Sequence, residues 1–235
     1  MVLIYLSEGS IMERYYSEAE EISMENDNKR GLFIVIEGLD GSGKGTQAAL
    51  LAEAMRADGR TVHQTAEPTS SVTGGMLRDA LGGIVKRDAY ELSALFLLDR
   101  IFHNVNDRNG IRKYLEGGVD VLCDRYYYSS FAYQGIDADL RWVMDMNLNC
   151  KEILKPDLCI FLDVSPDTGD KRISDNRLER EIYENRETQK RIRDRFYEVF
   201  GLLKDSENMK IVDASRTVSE VSADIIKIYK ELKEK

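Results

Sequence analysis

Residues 38–47 read "GLDGSGKGTQ", and they follow the short apolar run "LFIVIE" at residues 32–37. The run is typical of a buried strand, whereas "TQAALLAEAMRADG" has the periodicity of an amphipathic helix. A strand, the spacing G-x4-G-K-x-T and a helix together form the context of a phosphate-binding P-loop. The N–H groups of such a loop and the start of its helix attract anions. We therefore expect Lys44 to meet the β- and γ-phosphates of a nucleoside triphosphate.

The residue after Lys44 is Gly45, where P-loops usually carry a serine or threonine that binds Mg²⁺. Because Mg²⁺ keeps several waters and is held largely by substrate phosphates, the glycine removes one ligand without excluding the ion. We expect no metal site made of protein ligands alone, and we expect Mg²⁺ to bind with ATP, reaching Asp40, Glu67 or Asp124 through water. The residues expected to line the ATP site are Gly38, Asp40, Gly41, Ser42, Gly43, Lys44, Gly45 and Thr46.

Further apolar runs alternate with helical patterns along the chain. They are "TVHQTA" (61–66), "VDVLCD" (119–124), "LCIFLDV" (158–164) and "MKIVDA" (209–214). Short, nearly continuous apolar strands separated by helices predict a parallel sheet with helices on both faces. Ligands of such sheets bind at the carboxyl ends of the strands. We therefore expect an α/β protein with a five-stranded parallel sheet and its site at that edge.

Composition limits the classes of function. The chain has 235 residues, a formal charge of −9 and three cysteines without a C-x-x-C pair. The negative charge disfavours nucleic-acid polymers and anionic membranes as partners, and no stretch approaches the ~18 apolar residues of a membrane-spanning helix. We expect a cytoplasmic protein in a reducing compartment. Residues 1–30 are expected to form an acidic, poorly ordered extension, and residues 31–235 a single domain.

Two other segments carry information. "YELSALFLLDRIFHNV" at 90–105 is apolar nearly all round its first half, which predicts a buried helix that includes Asp99 and Arg100. From residue 170 the chain becomes dense in arginine. We expect a small lid at about 170–182 and a long helix after it.

A second motif, "LCDRYYYSSFAYQ" at 122–134, ends the third predicted strand. Asp124 and Arg125 at this strand end can face the P-loop, with Arg125 binding a phosphate through its planar guanidinium. A D-R pair followed by an aromatic residue, serine and A-Y-Q resembles the signature of the thymidylate kinases. Asp40 within "EGLDGSGK" and the helix segment "LFLLDR" also resemble that family, in family order over about residues 31–232. "AEPT" departs from it, since Ala66 replaces the arginine of the family's R-E-P segment.

The resemblance implies a three-layer P-loop kinase fold, dTMP and ATP as substrates and a homodimer. It also implies roles for individual residues at the acceptor site, which are Asp40, Glu67, Phe96, Arg100, Arg125, Ser130, Tyr133 and Gln134. Phe96 and Arg100 would hold the base, Ser130 would face it, and Tyr133 would crowd the sugar 2′ position. Relatives place an arginine over the transferring phosphate, and the P-loop here has none. The lid would therefore supply it, with Arg172, Arg177 and Arg180 as candidates beside the catalytic Lys44, Arg125 and Asp40.

Without the resemblance, Phe96 reads equally well as a core residue, and Arg100 as the buried ion-pair partner of Asp99 or another acid. A rival function is that of adenylate kinase or another nucleoside monophosphate kinase, since "GSGKGTQ" and "TGGMLRDAL" (73–81) resemble adenylate kinase segments. A non-enzymatic P-loop regulator is a further alternative, although the guanine-reading N-K-x-D is absent. The interpretation that covers most motifs is transfer of the ATP γ-phosphate to dTMP.

Overall fold

A computed structural model describes residues 30–174 and 185–234 of the chain. Their central feature is a sheet of five parallel strands in the order β2-β3-β1-β4-β5. The strands are β1 (Phe33–Gly38), β2 (Val62–Ala66), β3 (Asp120–Asp124), β4 (Leu158–Asp163) and β5 (Met209–Asp213). Each corresponds to one of the predicted apolar runs, which confirms the predicted α/β fold with a five-stranded parallel sheet.

Helices connect the strands. They are α1 (Lys44–Ala57), α2 (Val72–Leu81), α3 (Ala89–Val105), α4 (Ile111–Glu116), α5 (Tyr127–Tyr133), α6 (Leu140–Leu148), α7 (Pro166–Ser174), α8 (Arg186–Leu203) and α9 (Val218–Lys233). A 3₁₀ turn, Gln134–Ile136, follows α5 directly. The long helix predicted after the lid is α8, which begins after Asn185, whose side chain accepts a hydrogen bond from the Thr188 N–H at 2.8 Å.

Strand β1 lies in the middle of the sheet and is fully buried. Phe33, Ile34, Val35 and Ile36 are each 0% exposed, because neighbouring strands cover both edges of β1 and helices cover both faces. In register, Ile36 lies beside Asp124 of β3, and Gly38 lies beside Leu162 of β4. The P-loop after β1 and the D-R pair after β3 therefore leave the sheet at the same edge.

Helix α3 is only partly buried, which departs from the prediction of a buried helix, although Asp99 and Arg100 lie inside the protein as predicted. Leu98 is 51% exposed and Phe102 42%, whereas Asp99 and Arg100 are each 1% exposed. The reason is that α3 turns its polar side chains toward partners inside the protein, so that part of its apolar surface is left outside. Asp99 is not the ion-pair partner of Arg100, because adjacent helical residues point about 100° apart.

Helix α7 covers the first part of the segment expected to form a lid, up to Ser174. Residues 175–184, with Arg177 and Arg180, lie outside the described residues, and so does the extension at residues 1–29. None of the helices in the described part of the chain is long and apolar enough to cross a membrane.

Candidate active site

The loop between β1 and α1 surrounds the ammonium group of Lys44, the first residue of α1. The preceding Gly43 has a φ of 93°, in the left-handed region that favours glycine, and it caps α1 without a side-chain hydrogen bond. The Lys44 Nζ donates to the carbonyl oxygens of Gly38 (3.1 Å) and Leu39 (3.0 Å). Lys44 is buried, and this burial, followed by the positive charge of Arg125, lowers the pKa of its ammonium to about 8.

Arg125 directly follows β3, and its backbone has a φ of 68°. A residue with a Cβ adopts this left-handed region at a cost of ~1–2 kcal/mol, so tertiary contacts must hold it there. Its N–H donates to the Ile36 carbonyl oxygen at 2.9 Å. Its guanidinium Nη1 lies 3.3 Å from each of three acceptors, the Gly38 carbonyl oxygen, Ser129 Oγ and Tyr133 Oη.

Lys44 and Arg125, the cations of the two predicted phosphate-binding sites, contact the same acceptor groups. Gly38 contributes one carbonyl oxygen to both Lys44 Nζ and Arg125 Nη1. The Asp40 carboxylate forms an ion pair with Arg125 and lies 3.9 Å from Lys44 Nζ. Lys44 and Arg125 therefore share two acceptors, and both residues border one open cleft. The geometry brings Lys44, Arg125 and Asp40 together as the sequence predicts.

Asp124 lines the same cleft, together with Gly45 and Thr46. Its Oδ1 is buried and has no hydrogen-bond partner among the residues that the structure describes. Such an oxygen is unfavourable unless something binds it. A Cβ placed on Gly45 would meet no atom within 4 Å, so there is open space where the usual hydroxyl would stand.

The acceptor side contains a buried ionic network around Arg100. Its guanidinium Nε donates to Glu67 Oε2 (2.8 Å), Nη1 to Asn147 Oδ1 (2.6 Å) and Nη2 to Ser130 Oγ (3.1 Å). The other Glu67 oxygen lies 3.0 Å from His103 Nδ1. The acid that pairs with Arg100 is thus Glu67, and both Glu67 oxygens are engaged. In this arrangement Glu67 orients Arg100.

These residues form one wall of a cleft of about 260 Å³. Phe96 packs against Leu77 and Leu92, as expected of a core residue, and it also lines the cleft. The predicted residues in its lining are Asp40, Glu67, Phe96, Arg100, Arg125, Tyr133 and Gln134. Ser130 is reached through its hydrogen bond to Arg100.

The roles of Arg78 and of the hydroxyls around Asp99 were not predicted from the sequence, although Asp99 itself was expected to be buried. Arg78 of α2 lines the cleft and donates to the Thr69 carbonyl oxygen at 2.6 Å. Asp99 lies behind it and accepts hydrogen bonds from Thr69, Ser71 and Thr73. Although burial raises the pKa of Asp99, these hydrogen bonds outweigh it and the pKa lies below its usual value. The dense hydroxyls of "TSSVT" (69–73) are the signal that points to such a carboxylate.

Arg172 lies beside the P-loop. Its Nη1 donates to the Gly41 carbonyl oxygen (3.3 Å) and its Nη2 to the Ala214 carbonyl oxygen (3.0 Å). It borders a second cleft with Thr46, Gln47 and Arg216, away from Arg125. Arg172 therefore lines a different cleft from the one that Lys44 and Arg125 border. Of the three lid candidates, Arg177 and Arg180 lie outside the described residues.

Comparison with known proteins decides the family. The family model "Thymidylate kinase" matches residues 36–225, well over half of the chain. The chain belongs to the thymidylate kinase family. A probable thymidylate kinase of Staphylothermus marinus is 38% identical over 202 residues, covering 86% of this chain and 96% of the relative. That of Methanocaldococcus jannaschii is 35% identical over 203 residues, covering 86% and 97%.

A solved structure supports the fold of this family member. The thymidylate kinase of Candida albicans superposes with a TM-score of 0.75 and covers 87% of this chain and 93% of its own. Because the two sequences are only 24% identical, this likeness bears on the fold alone. The family membership identifies an ATP-dependent nucleoside monophosphate kinase.

The lowered pKa of Lys44 predicts how ATP binding responds to pH. Above pH 8 the ammonium of the ligand-free protein loses its proton, whereas the ATP phosphates favour the charged form. ATP binding at pH 8–9 should therefore take up protons, and its affinity should weaken as pH rises through this range. Calorimetric titration in buffers of different ionisation enthalpy measures the uptake. Lys44→Met should remove it, and equal uptake in that variant would assign it to another group.

Proposed function

We propose that this family member transfers the γ-phosphate of ATP to the 5′-phosphate of dTMP, giving ADP and dTDP. The observation that carries the proposal is the shared contact of Lys44 and Arg125 with the Gly38 carbonyl oxygen. Lys44 belongs to the loop that binds the donor, and Arg125 lines the acceptor cleft. A phosphoryl group passing between the two nucleotides would lie within reach of both cations.

The chemistry needs no covalent intermediate with the protein. An oxygen of the dTMP phosphate attacks the γ-phosphorus, the bond to the β,γ-bridging oxygen breaks in line, and ADP takes the electron pair. Lys44 and Arg125 stabilise the negative charge on the transferring group, because fixed charges in a closed cleft act more strongly than in water. Asp40 holds both cations in place in the absence of ligand and must yield Arg125 to the acceptor phosphate.

Arg100 suits recognition of the base. Within residues 30–174 and 185–234, four of its five N–H groups point to Glu67, Asn147 and Ser130, and the second N–H on Nη1 would donate to a carbonyl of thymine. Phe96 supplies an aromatic surface in the same cleft, and Tyr133 lies where its ring contacts Arg125. The hydrogen bonds of Arg100 to Glu67, Asn147 and Ser130 fix the orientation of its guanidinium.

The cleft also suits Mg²⁺. Asp124 Oδ1 is buried without a partner among the described residues, and a carboxylate oxygen is the ligand type that Mg²⁺ prefers. Asp124 would hold the ion directly or through water, with Asp40 nearby. The two carboxylate oxygens of Glu67 instead contact Arg100 and His103. Bound Mg²⁺ would neutralise charge on the β- and γ-phosphates.

We also propose a cytoplasmic homodimer. Along α3, the positions of Tyr90, Leu98 and Phe102 are spaced by multiples of four and each side chain is more than 40% exposed. Residues at this spacing lie on one helical face, so the apolar stripe can meet the same stripe of a second copy. The free cysteines Cys123 and Cys159 are buried, in keeping with a reducing compartment.

The function is tested by supplying dTMP, AMP, CMP and UMP in turn with ATP and Mg²⁺ and measuring release of ADP. We expect the highest kcat/KM with dTMP, because the cleft offers Arg100 and Phe96 to its base. Faster turnover of AMP would favour an adenylate kinase. ATP hydrolysis that no monophosphate stimulates would favour a P-loop regulator.

Gly45→Ser should restore a hydroxyl beside the phosphates without a steric clash, since the space around Gly45 is open. We expect the Mg²⁺ concentration needed for half-maximal activity to fall by about 2- to 10-fold, because a direct ligand replaces a water. Gly45→Ala is the matched control, and it should leave the Mg²⁺ dependence unchanged. An identical Mg²⁺ dependence in all three proteins would contradict the account of this position.

Leu98→Glu should convert the proposed dimer into a monomer, because a charge placed in an apolar contact costs several kcal/mol when it is buried unpaired. Light scattering after size-exclusion chromatography measures the mass. Leu202→Glu on α8 changes a side chain that is 61% exposed and should leave the mass unchanged. A monomeric parent protein at micromolar concentration would refute the dimer.

A further inference from the structure

Glu37 is a buried carboxylate that the proposed chemistry does not use. It is the residue before Gly38 at the end of β1, and it is 0% exposed. Burial raises the pKa of Glu37 above its ordinary value, although hydrogen bonds and the charge of Arg125 oppose this rise. A carboxylate in the centre of a sheet is costly, so its place in the structure requires specific partners.

Within the described residues, the hydrogen-bond partners of Glu37 belong to the motif at residues 122–134. Glu37 Oε1 accepts hydrogen bonds from the N–H groups of Tyr126 (2.8 Å) and Ser129 (3.0 Å). Glu37 Oε2 accepts a hydrogen bond from Ser129 Oγ at 2.6 Å. Helix α5 has no side-chain cap of its own, and Glu37 of β1 supplies an acceptor for the N–H groups of its N-cap residue Tyr126 and its third residue Ser129.

These contacts fix the backbone on both sides of Arg125. The Ile36 carbonyl oxygen accepts a hydrogen bond from the Arg125 N–H, and the Glu37 carboxylate accepts one from the N–H of the next residue, Tyr126. They therefore define the left-handed backbone conformation of Arg125. Ser129 Oγ donates to Glu37 and so presents its lone pairs to Arg125 Nη1, 3.3 Å away.

We propose that Glu37 is a positioning residue for phosphoryl transfer. It fixes the backbone of Arg125 and, through Ser129, the direction of its guanidinium, so that the acceptor site is attached to the strand that carries the donor loop. The inference rests on the proposed function, since it takes Arg125 as the group that binds the acceptor phosphate.

Glu37→Gln removes the charge and the acceptor at Oε2 while keeping the shape. We expect kcat/KM for the acceptor to fall about 10-fold or more, because small displacements of an aligned group have large kinetic effects. The KM for ATP should stay within about twofold. Ser129→Ala should give a similar acceptor defect, and the double variant should be no worse than the more impaired single variant, since the two residues act along one path. Arg125→Ala gives the reference value for complete loss of the Arg125 guanidinium.

Asp120→Asn is the matched control. Asp120 is also a 0% exposed carboxylate at a strand end, where it accepts a hydrogen bond from the Leu32 N–H and pairs with Arg60, but at the opposite edge of the sheet. The two substitutions should lower stability similarly, and only Glu37→Gln should impair acceptor kinetics. If Glu37→Gln is folded and behaves like Asp120→Asn, the proposal is wrong. If it does not fold, normal acceptor kinetics in Ser129→Ala overturn the proposal.

The assay uses whichever monophosphate the parent protein phosphorylates fastest, and calorimetry gives the acceptor dissociation constant in parallel. If that monophosphate is not dTMP, the proposed substrate is wrong while the comparison of Glu37 with Asp120 still decides the role of Glu37. If no monophosphate is phosphorylated, the dissociation constants of dTMP for the same variants decide it, with a weakening confined to Glu37→Gln and Ser129→Ala in support.

Discussion

The carbonyl oxygen of Gly38 accepts hydrogen bonds from two cations that come from different parts of the chain, Lys44 and Arg125. Burial lowers the pKa of Lys44, and repulsion by the nearby charge of Arg125 lowers it further. Acids around them, Asp40 and Asp124 among them, offset part of that repulsion. The two neighbouring cations give this cleft a local positive charge that suits a polyphosphate.

The register of the sheet produces this convergence. β1 lies between β3 and β4, so the loop after β1 and the motif after β3 are neighbours at one edge. Glu37, buried at the end of β1, then joins the two by accepting hydrogen bonds from Tyr126 and Ser129. A rigid connection of this kind places catalytic groups with the precision that electrostatic catalysis requires. The acceptor cleft is built in the same way, with Glu67 holding Arg100 from a separate strand end.

Much of the fold could be predicted from the sequence, because buried parallel strands appear as continuous apolar runs and the P-loop has a fixed spacing. The pairing of Lys44 with Arg125 was also accessible, since both follow strands. The left-handed conformation of Arg125 and the role of Glu37 were not accessible, because both depend on which strands are neighbours. The exposure of Leu98 and Phe102 on α3 was not predicted, since an apolar run does not reveal which of its side chains face away from the core.

The most direct test is a structure of the protein with dTMP and a nonhydrolysable ATP analogue bound together. The account predicts that Lys44 Nζ and the Arg125 guanidinium both contact the phosphates on either side of the transfer path, with the acceptor oxygen in line with the γ-phosphorus. Arg125 would then have left Asp40 for the dTMP phosphate. A closed complex in which Arg125 stays paired with Asp40, or in which the two phosphates lie beyond reach of each other, would contradict it.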